Sequence, residues 1–246
     1  AALPWVFIPL LLGAAACTLG LAPRAPASST AAPLGSLPAA LRDGDFARLL
    51  GVFAVNGIAA AVPSATVLFY VADVLRAAEL AGLFLALYFL AAACSLPLWV
   101  AVAARLGKLR AWLAGMALAL VVFAWAGLLG AGDTWAYGLI CVLSGFALGA
   151  DLALPPSLLA DLLARPVEAR DAPRATSGAA FGWWNFVTKA NLALAAGLAL
   201  PLLAVFGYSP GSREADAVAA LATVYALVPL ALKLAAMALL WAWRRR

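Results

Sequence analysis

Three ionisable side chains stand deep inside long apolar stretches of this sequence: Asp151, Lys189 and Lys233. A charge at bilayer depth costs several kcal/mol unless it is paired or wetted, so such residues mark solute and ion pathways. Asp151 lies about 16 residues into its run, about 24 Å along a helix, and Lys189 follows Arg174 by about 22 Å. Those matching heights on consecutive spans allow an ion pair between Asp151 and Lys189. Such a pair either lines a central cavity or simply fixes helix register. Asn185 stands one turn before Lys189, which puts a carboxamide on the same helical face. Trp183 and Trp184 fall within that turn, and at least one is expected to face the cavity, where a flat indole suits the apolar side of a sugar ring. Asn56 is followed by Pro63 and Ser64; it either sits beside an opened helix or bonds across to a neighbour. Asp151, Asn185, Lys189, Trp183, Trp184 and Asn56 are therefore the candidate substrate-binding residues. Lys233 lies about 16 Å from the end of its run and is expected to snorkel toward the headgroups.

Other chemistry is excluded by what is missing. The chain has no His, so the commonest metal ligand and general base are absent. Cys17, Cys94 and Cys141 lie in apolar stretches without metal-ligand spacing and are expected as small buried hydrophobes. No cofactor is expected, and paired carboxylates on one face, which an intramembrane enzyme would need, are not found.

The elements that hold these residues follow from composition. Of 246 residues, 67% are hydrophobic and 11% charged, and the mean hydropathy is +1.03. A water-soluble globule of this size needs far more charge. Runs of the roughly 20 apolar residues that cross a bilayer occur near 3–21, 49–72, 80–103, 111–131, 135–160, 178–207 and 218–241. Alternating polarity, the mark of a membrane barrel, is absent from them. The expected fold is thus all-α: a polytopic membrane protein with seven transmembrane helices, divided as a single helix 1–21, a linker 22–48 and a six-helix bundle 49–246. Within the spans, Gly145 and Gly149 form a GxxxG pattern expected to pack closely. Pro155 and Pro156 are expected to end or kink their helix just after Asp151.

Charge sets the direction. Taking the loops alternately, one side collects Arg24, Arg42, Arg48, Arg105, Lys108, Arg110, Arg165, Arg170, Arg174 and the C-terminal Arg244, Arg245 and Arg246, against Arg76 and Arg213 on the other. Cytoplasmic loops carry the positive excess, so the C-terminus is expected inside. The net charge of +5 reflects this topology, spread over four loops, and predicts no nucleic-acid partner. The sequence opens on Ala1 and enters an apolar run almost at once, with no basic segment before it, which suggests the later part of a longer protein.

Several segments stand in order along almost the whole chain. They are Asp45-Phe46-Ala47-Arg48-Leu49-Leu50 before the span with Asn56, Gly82-Leu83-Phe84 through Tyr88-Phe89-Leu90 to Pro97-Leu98-Trp99, and Arg105-Leu106-Gly107-Lys108. Gly149-Ala150-Asp151 with Pro155-Pro156 and Ala160-Asp161 follow, then Phe181 through Trp183-Trp184-Asn185 to Lys189, and Gly207-Tyr208. Taken together, this ordered set resembles the glycoside-pentoside-hexuronide:cation symporter family, the melibiose-carrier branch of the major facilitator superfamily. Ala104 stands near the place where the superfamily signature carries an Asp. The resemblance implies helix six, the central cytoplasmic loop and the C-terminal six-helix half of a twelve-helix carrier. It implies transport of a sugar or related solute coupled to Na⁺ or H⁺ by alternating access, with Lys189 matching a functional lysine. The coupling-ion site would then lie mainly in the preceding half, and that half, the lipid bilayer and a small-molecule solute are the expected partners. A bacterial inner membrane is the expected location. Lipid or amphiphile transport is the alternative within the superfamily. A seven-helix retinal protein is the alternative outside it, although no acidic residue stands one turn before Lys233.

Overall fold

The computed structural model describes residues 3–21, 36–165 and 177–244, and the chain divides into two compact units, Ala1–Pro33 and Leu34–Arg246. The first unit holds helix α1 (Leu3–Leu21), which coincides with the first apolar run. Most of the expected linker, together with Arg24, Arg170 and Arg174, lies outside the described residues.

The second unit contains α2 (Ser36–Ala40), α3 (Gly44–Phe69), α4 (Ala81–Leu106), α5 (Lys108–Ala126), α6 (Thr134–Ala164), α7 (Ser177–Val205) and α8 (Ala215–Arg244). Among the described residues there is no strand, and six helices are long and apolar enough to cross a membrane. In lipid a helix alone satisfies its own backbone groups, which is why these apolar runs fold this way.

Local signals set the ends. Asp43 caps α3, its carboxylate accepting from the backbone N–H of Asp45 and Phe46, each at 3.1 Å. The N-terminus of α3 thus begins inside the stretch expected as linker, and Phe46 and Leu49 are already buried. Gly107 makes the single-residue turn from α4 to α5 at φ 84°, ψ 149°, a conformation open essentially to glycine alone. At its far end α3 passes into a π-turn, Tyr70–Val74, and Arg76 then takes φ 56°.

The helices do not end at these prolines. α3 runs through Pro63 and α6 through Pro155 and Pro156 to Ala164. Proline costs a helix one backbone bond, which packing within a bundle absorbs. In α6 the two carbonyls relieved of a helical donor belong to Asp151 and Leu152.

Packing is closest between α4 and α6, and glycine is the reason. A Cβ at Gly145 would run into the Tyr88 carbonyl oxygen, and one at Gly149 into the Ser95 hydroxyl; on the other side of α6, a Cβ at Gly115 of α5 would meet the Ala150 methyl. The GxxxG pattern is a close-packing device, as expected. Two apolar clusters fill the bundle. One, around Phe46, Trp99, Trp112, Met116 and Leu158, lies toward the end that carries Arg48, Lys108 and Arg165. The other, around Tyr70, Phe84, Tyr137, Tyr208 and Tyr225, lies toward the opposite end. Cys141 is buried in it, whereas Cys94 is exposed, contrary to the expectation for the thiols as a set.

Candidate functional site

Asp151 and Lys233 meet in the middle third of their helices, α6 and α8. Lys233 Nζ lies 2.8 Å from Asp151 Oδ2, with side-chain exposures of 5% and 12%. The other carboxylate oxygen, Oδ1, accepts from Trp112 Nε1 of α5 at 2.8 Å. Both charges are nearly desolvated, and an ion pair of this kind survives in apolar surroundings only with good geometry and occupied lone pairs. Each carboxylate oxygen here has a donor.

The pair borders a cavity of about 150 Å³. Its wall is mostly aromatic and aliphatic: Pro63 and Val67 from α3, Phe84, Tyr88 and Phe89 from α4, Phe123 from α5, Tyr137 and Ile140 from α6, and Tyr225 from α8. Most of its polar groups are already engaged. The Tyr137 and Tyr225 hydroxyls bond each other at 2.8 Å, Ser64 Oγ donates to the Ala60 carbonyl at 2.9 Å, and Ser144 Oγ donates to Cys141 at 3.2 Å. The buried ion pair and the Tyr88 phenol are the polar groups left facing the space.

The other candidates are distributed differently. Lys189 does not reach Asp151; it is exposed in the middle third of α7, on the outside of the bundle. Asn185 is exposed on the same face, its Nδ2 donating to the Phe181 carbonyl of its own helix at 2.9 Å. Trp183 donates from Nε1 to the Leu37 carbonyl of α2 at 2.9 Å. Trp184, one residue on, is buried and stacks on Phe53 of α3 with ring centroids 3.8 Å apart. Asn56 is buried, and its Oδ1 has no partner among the described residues. Asn191 of α7 packs at the neighbouring Gly57, in space that a Cβ there would occupy. None of Asn56, Trp183, Trp184, Asn185 and Lys189 lines the cavity with Asp151.

Lys233, Trp112 and Asn191 were not among the candidates. Helical phase was the signal for Lys233: Leu221, Tyr225, Lys233, Ala236 and Leu240 are all buried, at spacings of one helical stripe. A lysine on the inward stripe cannot snorkel outward, and it takes the carboxylate instead.

Charged nodes also tie the helix ends. Asp45 accepts from Arg165 at 2.8 Å, from Arg48 at 3.3 Å and from Trp243 Nε1 at 3.2 Å, joining α3, the end of α6 and α8. Lys108 holds Asp161 at 2.6 Å beside it. At the opposite end Asp73 accepts from the Tyr208 hydroxyl and from the Gly211 backbone N–H, joining the π-turn to the α7–α8 connection. Burial and the neighbouring Asp73 carboxylate push the Tyr208 phenol upward from its ordinary 10.0.

A sequence model of the family described as MFS/sugar transport protein matches residues 9–244. A comparison with curated proteins returns no match.

Proposed function

Because the chain belongs to the MFS/sugar transport family and is an integral membrane transporter rather than an enzyme, we propose that it carries a sugar or related small solute across the membrane by alternating access, with Na⁺ or H⁺ as the coupling ion. The observation that carries this reading is the position of Lys189. It is exposed in the middle of an apolar helix, where contact with lipid tails would cost several kcal/mol. With Asn185 beside it, this face of α7 suits a wetted path closed by a second helical bundle. The preceding half of the same carrier is the partner proposed for that face. Family membership displaces the retinal alternative.

A bacterial inner membrane with the C-terminus in the cytoplasm is the proposed setting. Among the described residues, Arg42, Arg48, Arg105, Lys108, Arg110 and Arg165 gather at one end of the bundle and Arg76 and Arg213 at the other, in keeping with the positive-inside rule. A second reading, transport of a lipid or other amphiphile, is favoured by the aromatic lining of the cavity.

The test is counterflow in vesicles reconstituted with the complete carrier. Preloaded vesicles are expected to exchange radiolabelled melibiose, and Lys189→Ala and Asp151→Asn are each expected to abolish the exchange while leaving membrane insertion intact. Normal exchange by both variants would overturn the assignment of these residues. Exchange of a labelled lysolipid in place of melibiose would select the second reading.

A further inference from the structure

Among the described residues Lys233 has one anionic partner, Asp151, and the two share the wall of the cavity. We propose that this ion pair is a joint binding site for one proton and one organic monoanion. The proton enters on Asp151, the anion takes its place on Lys233, and the carrier moves the two together. The inference rests on the carrier reading and specifies what the cavity of this bundle accepts.

The argument is one of charge balance at low dielectric. The closed pair is neutral. A proton alone on Asp151 would leave the Lys233 ammonium buried without a counter-charge, which is strongly unfavourable. An anion alone would stand beside the Asp151 carboxylate and be repelled. The two together preserve neutrality: a new O–H bond forms at Asp151 Oδ2, the contact from Lys233 Nζ to that oxygen opens, and the carboxylate of the solute accepts from Nζ in its place. Trp112 Nε1 continues to donate to Oδ1 whether or not Oδ2 is protonated, so Asp151 keeps its position. Each step conserves charge, and the proton comes from bulk water.

The cavity wall favours this class of solute. Tyr137, Tyr225, Ser64 and Ser144 already satisfy one another or backbone carbonyls. What remains is one charged pair and the Tyr88 hydroxyl at the edge of a space of about 150 Å³ walled by rings. That arrangement fits a carboxylate on an apolar body. The groups able to titrate that line the cavity with Asp151 are Lys233 and Tyr225 from α8, Tyr88 from α4, and Tyr137 and Cys141 from α6 itself; α5 presents the neutral Trp112 indole to the carboxylate, and the α3 lining has no ionisable side chain.

The experiment measures binding of radiolabelled benzoate to the purified full chain in lipid nanodiscs, with benzamide as the neutral analogue and a pH-indicator dye to count protons. Saturable benzoate binding is expected to tighten about tenfold for each unit that the pH falls, with about one proton taken up per benzoate, while benzamide binds weakly. Asp151→Asn is expected to bind benzoate without proton uptake or pH dependence. The doubly neutral variant Asp151→Asn with Lys233→Gln leaves no buried unpaired charge, so it is expected to keep a cooperative thermal transition and to lose benzoate. The inference is overturned if the folded wild type shows no saturable benzoate binding, if that binding is independent of pH, if benzamide binds as tightly, or if the double variant binds undiminished. Melibiose counterflow is measured separately, in sealed vesicles of the complete carrier: exchange there together with any of these failures leaves the carrier reading standing alone. Proton-linked benzoate binding in nanodiscs with no counterflow of melibiose, lysolipid or benzoate in the vesicles overturns the carrier reading instead.

Discussion

Lys233 of α8 and Asp151 of α6 meet at 2.8 Å in the centre of the bundle, and Trp112 of α5 fixes the carboxylate from its other side. Three helices are thus joined by a unit whose parts are worth little apart. Lys233→Ala strands a carboxylate and is expected to cost about 3–5 kcal/mol of stability. Replacing both charges, Asp151→Leu with Lys233→Met, is expected to cost less than either single change, since apolar packing of similar volume substitutes well for a buried pair. Thermal unfolding of the wild type, Asp151→Leu, Lys233→Met and the double variant in one detergent checks this; a double variant as unstable as the sum of the singles would refute it.

The spans were legible because a bilayer admits few solutions: about 20 apolar residues read as a helix, and Gly145 and Gly149 announced a close contact. The ion pair was not legible from depth alone. Lys189 and Lys233 both lie in the middle thirds of their helices, and height along an axis says nothing about azimuth. Phase does: Lys233 falls on the buried stripe of α8 with Tyr225 and Leu240, while Lys189 falls on the exposed face of α7 with Asn185. The adjacent indoles show the same rule. One residue is about 100° of rotation at 3.6 residues per turn, enough to send Trp183 to Leu37 of α2 and Trp184 to Phe53 of α3.

Gly149 provides a steric test of the contact between α4 and α6. A methyl there would overlap the Ser95 hydroxyl and crowd the Ala92 carbonyl, so Gly149→Ala is expected to lose about 1–3 kcal/mol. Gly82 is the control. It has open space around its Cβ position, and Gly82→Ala is expected to gain up to about 1 kcal/mol from helix propensity. Unfolding midpoints that move in the same direction for both would show that the contact is not limiting.

Gly107 tests backbone strain where α4 turns into α5. At φ 84° and ψ 149° any side chain is strained although the surrounding space is open. Gly107→Ala is therefore expected to cost about 1–3 kcal/mol through conformation alone. Replacement by D-alanine, which favours positive φ, is expected to restore stability in a semisynthetic chain. No difference between the two alanines would contradict the assignment.

At the end opposite Lys108, the Tyr208 phenol donates to Asp73 and is held above its ordinary 10.0. The folded state therefore keeps this proton more tightly than the unfolded chain. Its contribution is fully present below pH 10.0 and is lost as the pH climbs through the raised folded value. Tyr208→Phe is expected to lower stability at neutral pH by about 1 kcal/mol through the lost hydrogen bond, and to flatten the alkaline part of the stability profile. Unfolding followed across the alkaline range in both proteins decides it; identical slopes would assign the alkaline loss to other groups.

Asp45 accepts from Arg48, Arg165 and Trp243 and so makes more polar contacts than Asp151, yet it is expected to matter less to stability. The difference lies in solvent. Asp45, Arg48 and Arg165 have side chains 36%, 46% and 51% exposed. Water and salt therefore screen their attraction, and the charges were never fully desolvated. Arg165→Ala and Arg48→Ala are each expected to cost less than about 1 kcal/mol, and less again at high ionic strength. The loss on Lys233→Ala, where the pair is buried, is expected to be nearly independent of salt. Unfolding of the three variants at low and high sodium chloride separates the cases, and a salt-insensitive loss at Arg165 would mean that the node at Asp45 is shielded in the membrane.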